Sequence, residues 1–242
     1  MSARGLRVAI AFLTRLPVRS TGTPEASAQA ASVAWYPLVG LLIGAILCAL
    51  CELLRSAPPL LAAAILVASW VALTGALHLD GLADSADAWI GGLGSRERTL
   101  AIMKDPRSGP AGVVALVLTL LLKFAALASM QERWPALLLA PMLGRAGLTA
   151  LFVWMPYVRR DGLGSALTGA SGRACRIAIA GTVLACVLFG RPGIHALAAA
   201  ALVWLLWRRA CMKRIGGFTG DTAGAVAELI ETSVLIMLAL TA

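Results

Sequence analysis

From Trp35 onward the chain alternates long apolar runs with short polar segments. The runs are Trp35–Leu54, Leu60–Leu79, Pro110–Met130, Trp134–Met155, Ile177–Phe189, Ile194–Trp207 and Thr222–Leu240. Most approach the roughly 20 residues that a helix needs to cross the hydrocarbon core of a bilayer. No sustained two-residue alternation accompanies them, which argues against a membrane β-barrel. The pattern predicts an all-α, polytopic membrane protein of about seven transmembrane helices, with a range of six to eight. The fifth and sixth runs are short and flank Arg191-Pro192-Gly193. They read as a thin transmembrane hairpin or a re-entrant pair.

The segment before the first run has a different period. Leu6, Ala9, Ile10, Leu13 and Leu16 share one helical face, and Arg4, Arg7 and Arg15 lie opposite. That pattern predicts an amphipathic helix lying on an anionic membrane surface. Its apolar core is too short, and closed too soon by Arg15, for a signal peptide. Residues Arg19 to Ser32, with Gly22 and Pro24, read as a loop.

Lysines and arginines between the runs set the orientation. The successive segments carry four, one, four, one, four, one and four of them, and the tail after the last run has none. Seven spans with a cytoplasmic N-terminus place every group of four inside, as the positive-inside rule requires. The expected location is therefore the inner, cytoplasmic membrane, with a single catalytic domain over residues 1–242.

Composition agrees. The chain is 60% hydrophobic and 14% charged, with a mean hydropathy of +0.85. A soluble domain carries roughly 25% charged residues. The net charge of +9 would suit nucleic acid in a soluble protein, but here the cations are topological and no RNA-type aromatic-basic module is visible. No nucleic-acid partner is expected, and a homo-oligomer is left open. Five scattered cysteines make no disulfide framework, and the Cys48–Cys51 pair sits inside an apolar run.

The chain has only twelve acidic residues, and most map to the cytoplasmic side. The sharpest group is His78-Leu-Asp80-Gly-Leu-Ala-Asp84-Ser-Ala-Asp87. If the second span continues as a helix, spacings of i, i+4 and i+7 put three carboxylates on one face, with Gly81 loosening it. Two carboxylates about 5–6 Å apart repel by roughly 3 kcal/mol at an effective dielectric near 20. A hard divalent cation bound by oxygen ligands, Mg²⁺ or Mn²⁺, relieves that repulsion. A solvated polar helix end without metal is the bland alternative, favoured for one Asp and not for three.

Further along, Lys104 and Arg107 bracket Asp105 at the mouth of the third span, a pattern suited to phosphate. Gly216-Gly-Phe-Thr-Gly-Asp221-Thr-Ala-Gly224 precedes the last span, with Glu228 and Glu231 farther along the same face. Such a segment offers backbone N–H groups at a positive helix end. Arg145 and Lys123 fall inside spans, where a charge costs about 2.5–3.5 kcal/mol on insertion scales. Arg145 is expected to pair with Glu228 or Glu231 or to reach a phosphate, and Lys123 to snorkel outward. His78 borders the acids and is a candidate to assist them.

Taken together these segments resemble the cobalamin synthases, the adenosylcobinamide-GDP ribazoletransferase family. The resemblance is carried by Phe12-Leu-Thr-Arg-Leu-Pro17, His78-Leu-Asp-Gly-Leu-Ala-Asp84 with Asp87, Arg96-Glu-Arg-Thr-Leu-Ala-Ile-Met-Lys-Asp105 with Arg107 and Gly109, Tyr157 with Gly162-Leu-Gly164, and Gly216-Gly-Phe-Thr-Gly-Asp221. It departs at Pro106, Pro110 and Ala88. It implies a late step of cobalamin biosynthesis in which adenosylcobinamide-GDP is joined to α-ribazole or its 5′-phosphate and GMP leaves, with Mg²⁺ as cofactor. Displacement at a diphosphate needs a metal, cations and a base. Asp80, Asp84 and Asp87, with Asp105 as a fourth, are expected as metal ligands. Lys104, Arg107, Arg145 and His78 are expected to hold phosphate or substrate. Asp221 is the expected base, with Asp87 the rival. Two other readings remain at this point. Asp80-Gly-Leu-Ala83 matches part of the CDP-alcohol phosphotransferase signature of phospholipid synthesis, although its later acids are missing. Arg145 and the broken fifth and sixth runs would suit a transporter.

Overall fold

The computed structural model describes residues 2–18, 24–159 and 164–241. Arg19, Arg160, Asp161 and Gly162, used above in counting charges or motifs, lie outside them. Among the described residues the chain is all-helical, with one isolated parallel bridge between Tyr157 and Phe218. The helices are α1 (Ala3–Leu13), α2 (Ala26–Ser32), α3 (Tyr36–Leu53), α4 (Pro59–Thr74), α5 (Leu77–Gly91), α6 (Arg96–Ile102), α7 (Pro110–Ser129), α8 (Trp134–Trp154), α9 (Gly172–Leu188), α10 (Arg191–Ile215) and α11 (Gly220–Thr241).

Two helices form the centre. In α8, 83% of the membrane-length window is buried, and in α11 67%, against 28% in α7 and 22% in α10. The outer pair therefore faces lipid with Val113, Val117, Leu202 and Leu205, all exposed. Close approach at the centre depends on glycine. A Cβ on Gly44 of α3 would stand 2.8 Å from the Cα of Leu138 in α8. Small residues let membrane helices touch backbone to backbone, where lipid supplies no hydrophobic drive for association.

Five helices, α7, α8, α10, α11 and the continuous rod of α2 and α3, are long and apolar enough to span a membrane. The second apolar run does not continue straight as the sequence predicts. It stops at Thr74, and Gly75 and Ala76 both take left-handed conformations, with φ of 62° and 58°. Helix α5 then leaves at 90° to α4. His78 and Leu79, assigned above to the second span, belong to α5.

Three other expectations change. Residues 26–32, read as loop, form α2 and run on into α3. The apolar face of α1 is not laid open for a membrane surface: Ala9 and Leu13 are fully buried, and the helix packs on α2 and α3. Arg4, Arg7 and Arg15 remain exposed, as expected. The sixth run is not short, because α10 carries on through Arg208, Arg209, Lys213 and Arg214 for 25 residues in all. No breaker interrupts it before Gly216, and cations in a last helical turn favour the negative helix end.

That extension ties α10 to α5. Arg214 donates to the carbonyls of Trp89 (2.8 Å) and Gly92 (3.1 Å) at the end of α5. Arg96, just beyond α5, donates to the carbonyl of Ile215 (2.8 Å) at the end of α10. Carbonyls at the end of each helix are thus satisfied by a cation, Arg214 of α10 for α5 and Arg96 of α6 for α10. Trp89 and Trp207 stack beside this clasp, with ring centroids 5.1 Å apart.

Candidate functional site

Helix α11 begins with a reciprocal cap. Thr222 N–H donates to Thr219 Oγ1 (3.2 Å), and Thr219 N–H donates to Thr222 Oγ1 (2.8 Å). This is the capping-box arrangement with Thr in the place of Glu. It fixes Asp221 in the first turn, where Thr219 Oγ1 donates to its carboxylate (3.3 Å).

Asp221 faces α5 because two glycines meet there. A Cβ on Gly81 would lie 2.6 Å from the Asp221 carbonyl oxygen. A Cβ on Gly224 would lie 3.1 Å from the carbonyl oxygen of His78. Gly81 thus serves close packing and does not loosen α5, which runs unbroken from Leu77 to Gly91. With the backbones touching, Asp80 and Asp221 border one cavity of ≈ 170 Å³. Asp84 is near enough to Asp80, Asp87 and Asp221 to feel their charge.

Arg159 completes this group, and nothing in the residue pattern singles it out among the basic residues of its loop. Its Nη1 stands 3.1 Å from Asp221 Oδ2, and its Nη2 donates to the carbonyl of Met103 (3.2 Å). A short parallel pairing delivers it: Phe218 N–H donates to Pro156 O, and Val158 N–H to Phe218 O, both at 2.9 Å. Only that long-range bridge distinguishes Arg159 from its neighbours.

The remaining candidates are spread more widely. Asp87 shares the acidic face of α5, but its two oxygens accept from Gly109 N–H (2.7 Å) and Gly112 N–H (2.9 Å). It caps the start of α7, where a carboxylate meets the positive helix end. Pro110 opens that helix, at a position where no N–H is needed. Asp105 pairs with Arg107 (2.7 Å) on the exposed loop before α7, and this contact pulls its carboxyl down to about 2. Lys104 is exposed on the same loop, and neither it nor Arg107 lines the cavity. His78 does line it, buried, with Nδ1 lacking a hydrogen-bond partner among the described residues.

Arg145 lies elsewhere. It is fully buried and in contact with the Glu231 carboxylate, one of the two partners expected for it. Lys123 does not snorkel outward. It is buried between Glu228 (2.6 Å) and Glu231 (2.5 Å), with its ammonium 4.6 Å from the centre of the Trp70 ring. Two cations and two anions from α7, α8 and α11 make a balanced interior set, with the Trp70 face adding cation–π attraction.

A divalent ion can be tested against these residues. Among the described residues no three His, Cys, Asp or Glu side chains converge, as placed, into a metal-binding group. The donor chemistry does fit a hard cation: carboxylates from α5 and α11 face each other across the glycine contact, with Arg159 the cation among them.

Comparison with known proteins adds the family. Residues 5–239 match the model of the cobalamin-5-phosphate synthase family. The chain is 56% identical over 238 residues to an adenosylcobinamide-GDP ribazoletransferase of Stutzerimonas stutzeri, covering 97% of each chain. It is 53% identical to the protein of that name from Pseudomonas fluorescens, covering 96% of this chain and 98% of the relative. The protein of that name from Pseudomonas aeruginosa is 52% identical, with 98% of each chain covered. No solved structure matches. With nearly its whole length matched, the chain belongs to the cobalamin-5-phosphate synthase family.

Proposed function

We propose that the protein is an adenosylcobinamide-GDP ribazoletransferase. It joins adenosylcobinamide-GDP to α-ribazole or its 5′-phosphate and releases GMP. The observation that carries this reading, beside the family, is the Gly81–Asp221 contact, which sets the acids of α5 against the first turn of α11 beside Arg159. Neither lipid head-group transfer nor transport finds support in the relatives.

The reaction asks little covalent chemistry of the protein. A ribose hydroxyl of the ribazole attacks the phosphorus that bears the cobinamide. The bond from that phosphorus to the GMP oxygen breaks, the electron pair leaves with GMP, and a phosphodiester remains. Asp221 is placed to take the hydroxyl proton, and Arg159 holds its carboxylate in orientation. Asp80 and Asp84 are the residues that would hold Mg²⁺ or Mn²⁺, with Asp221 kept for the proton. Bound there, the cation would offset the charge of the diphosphate and its departing phosphate. Asp87 has the separate task of fixing α7 to α5. Lys104 on the exposed loop, and Arg107 on exchanging Asp105 for the substrate, would meet the outer phosphate of the nucleotide.

The orientation follows from charge. Counting α3, α4, α7, α8, α9, α10 and α11 gives seven crossings with the N-terminus inside, and every segment rich in Lys and Arg then faces the cytoplasm. Helices α4 and α9, at 16 and 17 residues, are short, and local thinning accommodates such spans. The active site then opens to the cytoplasmic face of the inner membrane.

The test is GMP release by purified protein in lipid, supplied with Mg²⁺, adenosylcobinamide-GDP and α-ribazole phosphate, with and without EDTA. Metal-dependent GMP together with a new corrinoid supports the proposal. No turnover by folded protein overturns it.

A further inference from the structure

The cavity beside Asp80 and Asp221 is lined mostly by apolar side chains: Leu148 and rings from several elements, Phe12 of α1, Tyr36 of α3, Phe152 of α8, and Tyr157 and Phe218 from the bridge. Phe12 and Tyr36 lie nearly parallel, with centroids 6.3 Å apart at 23°. Phe218 sits edge-on to Phe152 at 5.0 Å and 87°. Rings in such offset and edge-on arrangements present both faces and edges to a flat aromatic guest.

Two polar groups of this lining are buried: Tyr36 Oη, which Ser32 faces, and His78 Nδ1, which has no hydrogen-bond partner among the described residues. Tyr36 is 1% exposed and His78 3%. A buried polar atom left unpaired is costly, so His78 Nδ1 points to a ligand that satisfies it. The volume, ≈ 170 Å³, suits one small ring system; an apolar cavity of about 150 Å³ takes benzene. A corrin macrocycle does not fit. A guanine, with several donors and acceptors on its edge, would leave most of them unpaired against this apolar wall.

We propose that this cavity is the seat of the ribazole base, with its ring nitrogen accepting from His78 Nδ1–H and its ribose turned toward Asp80 and Asp221. The inference rests on the ribazoletransferase reading and deepens it. It assigns Tyr36, Leu148 and Phe152 to choosing the flat, nearly apolar base, while the acids and Arg159 do the phosphoryl chemistry.

The experiment is steady-state kinetics of the full chain in lipid nanodiscs, varying each substrate at saturation of the other. Leu148→Phe fills the cavity and is expected to raise KM for α-ribazole phosphate about tenfold or more, leaving KM for adenosylcobinamide-GDP in place. His78→Phe removes the ring donor and is expected to raise the same KM about fivefold. It also keeps the test alive if Leu148→Phe does not fold. Free dimethylbenzimidazole, the base of α-ribazole, is expected to inhibit the wild-type protein competitively against ribazole phosphate and not against the corrinoid. If KM for the corrinoid nucleotide moves instead, the cavity takes that substrate and the proposal is overturned. Unchanged KM values together with no inhibition also overturn it, and would leave a lipid chain as the occupant. These results differ from a failure of the enzymatic reading, in which the wild-type protein itself releases no GMP.

Discussion

Two groups of charges in this protein follow opposite rules. In the interior, Lys123 and Arg145 stand against Glu228 and Glu231, two charges of each sign, all buried. At the cavity, Asp80 and Asp221 stand with Arg159, and Asp84 lies close enough to feel all three, an excess of negative charge at a partly open site. A balanced buried set stabilises only its own arrangement, and removing any member leaves an uncompensated charge. An unbalanced set at a cavity is poised for something else to neutralise it. The same helix, α11, supplies anions to both, with Asp221 in its first turn and Glu228 and Glu231 two to three turns deeper. The deeper set holds the helix in place for the shallower one.

Substitutions can break this comparison. The largest effect is expected for Asp221→Asn: a fall in kcat of about 10²- to 10⁴-fold, with the melting temperature held and Mn²⁺ binding by electron paramagnetic resonance retained. Asp80→Asn should lose metal binding as well as activity. Loss of metal in both variants, or in neither, would erase the division of labour between the two acids. Next comes Lys123→Ala, expected to cost about 3–5 kcal/mol of stability and read as a lower melting temperature and a reduced yield of folded protein. If Lys123→Ala left melting unchanged but abolished turnover, the interior set would belong to the chemistry after all. Gly81→Ala should cost about 1–3 kcal/mol by overpacking. It should depress activity more than stability, because its Cβ pushes Asp221 away from Asp80. The smallest effect is expected for Arg107→Ala. The Asp105 carboxyl is held at about 2, so the ion pair is intact above that pH and lost as pH falls through it. In the variant, carbon-13 titration should find the carboxyl returned toward 3.8, with little change in melting.

The contrast between the two groups also marks how far the sequence could be read. Helices α7 and α8 end within a residue of the predicted runs because Gly109-Pro110 and Arg133-Trp134-Pro135 punctuate them. The spacing of Asp80, Asp84 and Asp87 was legible because helical periodicity is local. Their different employments were not, since Asp87 is turned to a cap by glycines 22 and 25 residues away. The bend after Thr74 was hidden because Ala76 takes a left-handed conformation that nothing in its type announces. Lys123 read as a snorkelling residue because its partners lie 105 and 108 positions further on. Arg159 looked like any other topological cation until the Tyr157–Phe218 bridge gave it a place.

The contact between Gly81 and Asp221 joins positions 140 residues apart, and this has a consequence for synthesis at the ribosome. When α5 emerges, its acids have no counterpart, and the cations of α10 that cap its end are not yet made. Four further helices, α7 to α10, must enter the membrane before α11 can slide its first turn against Gly81. Pairings of such sequence separation form late, after the loop-closure entropy has been met. A chain interrupted anywhere before residue 220 is therefore catalytically silent, and competence arrives in one step with the last helix.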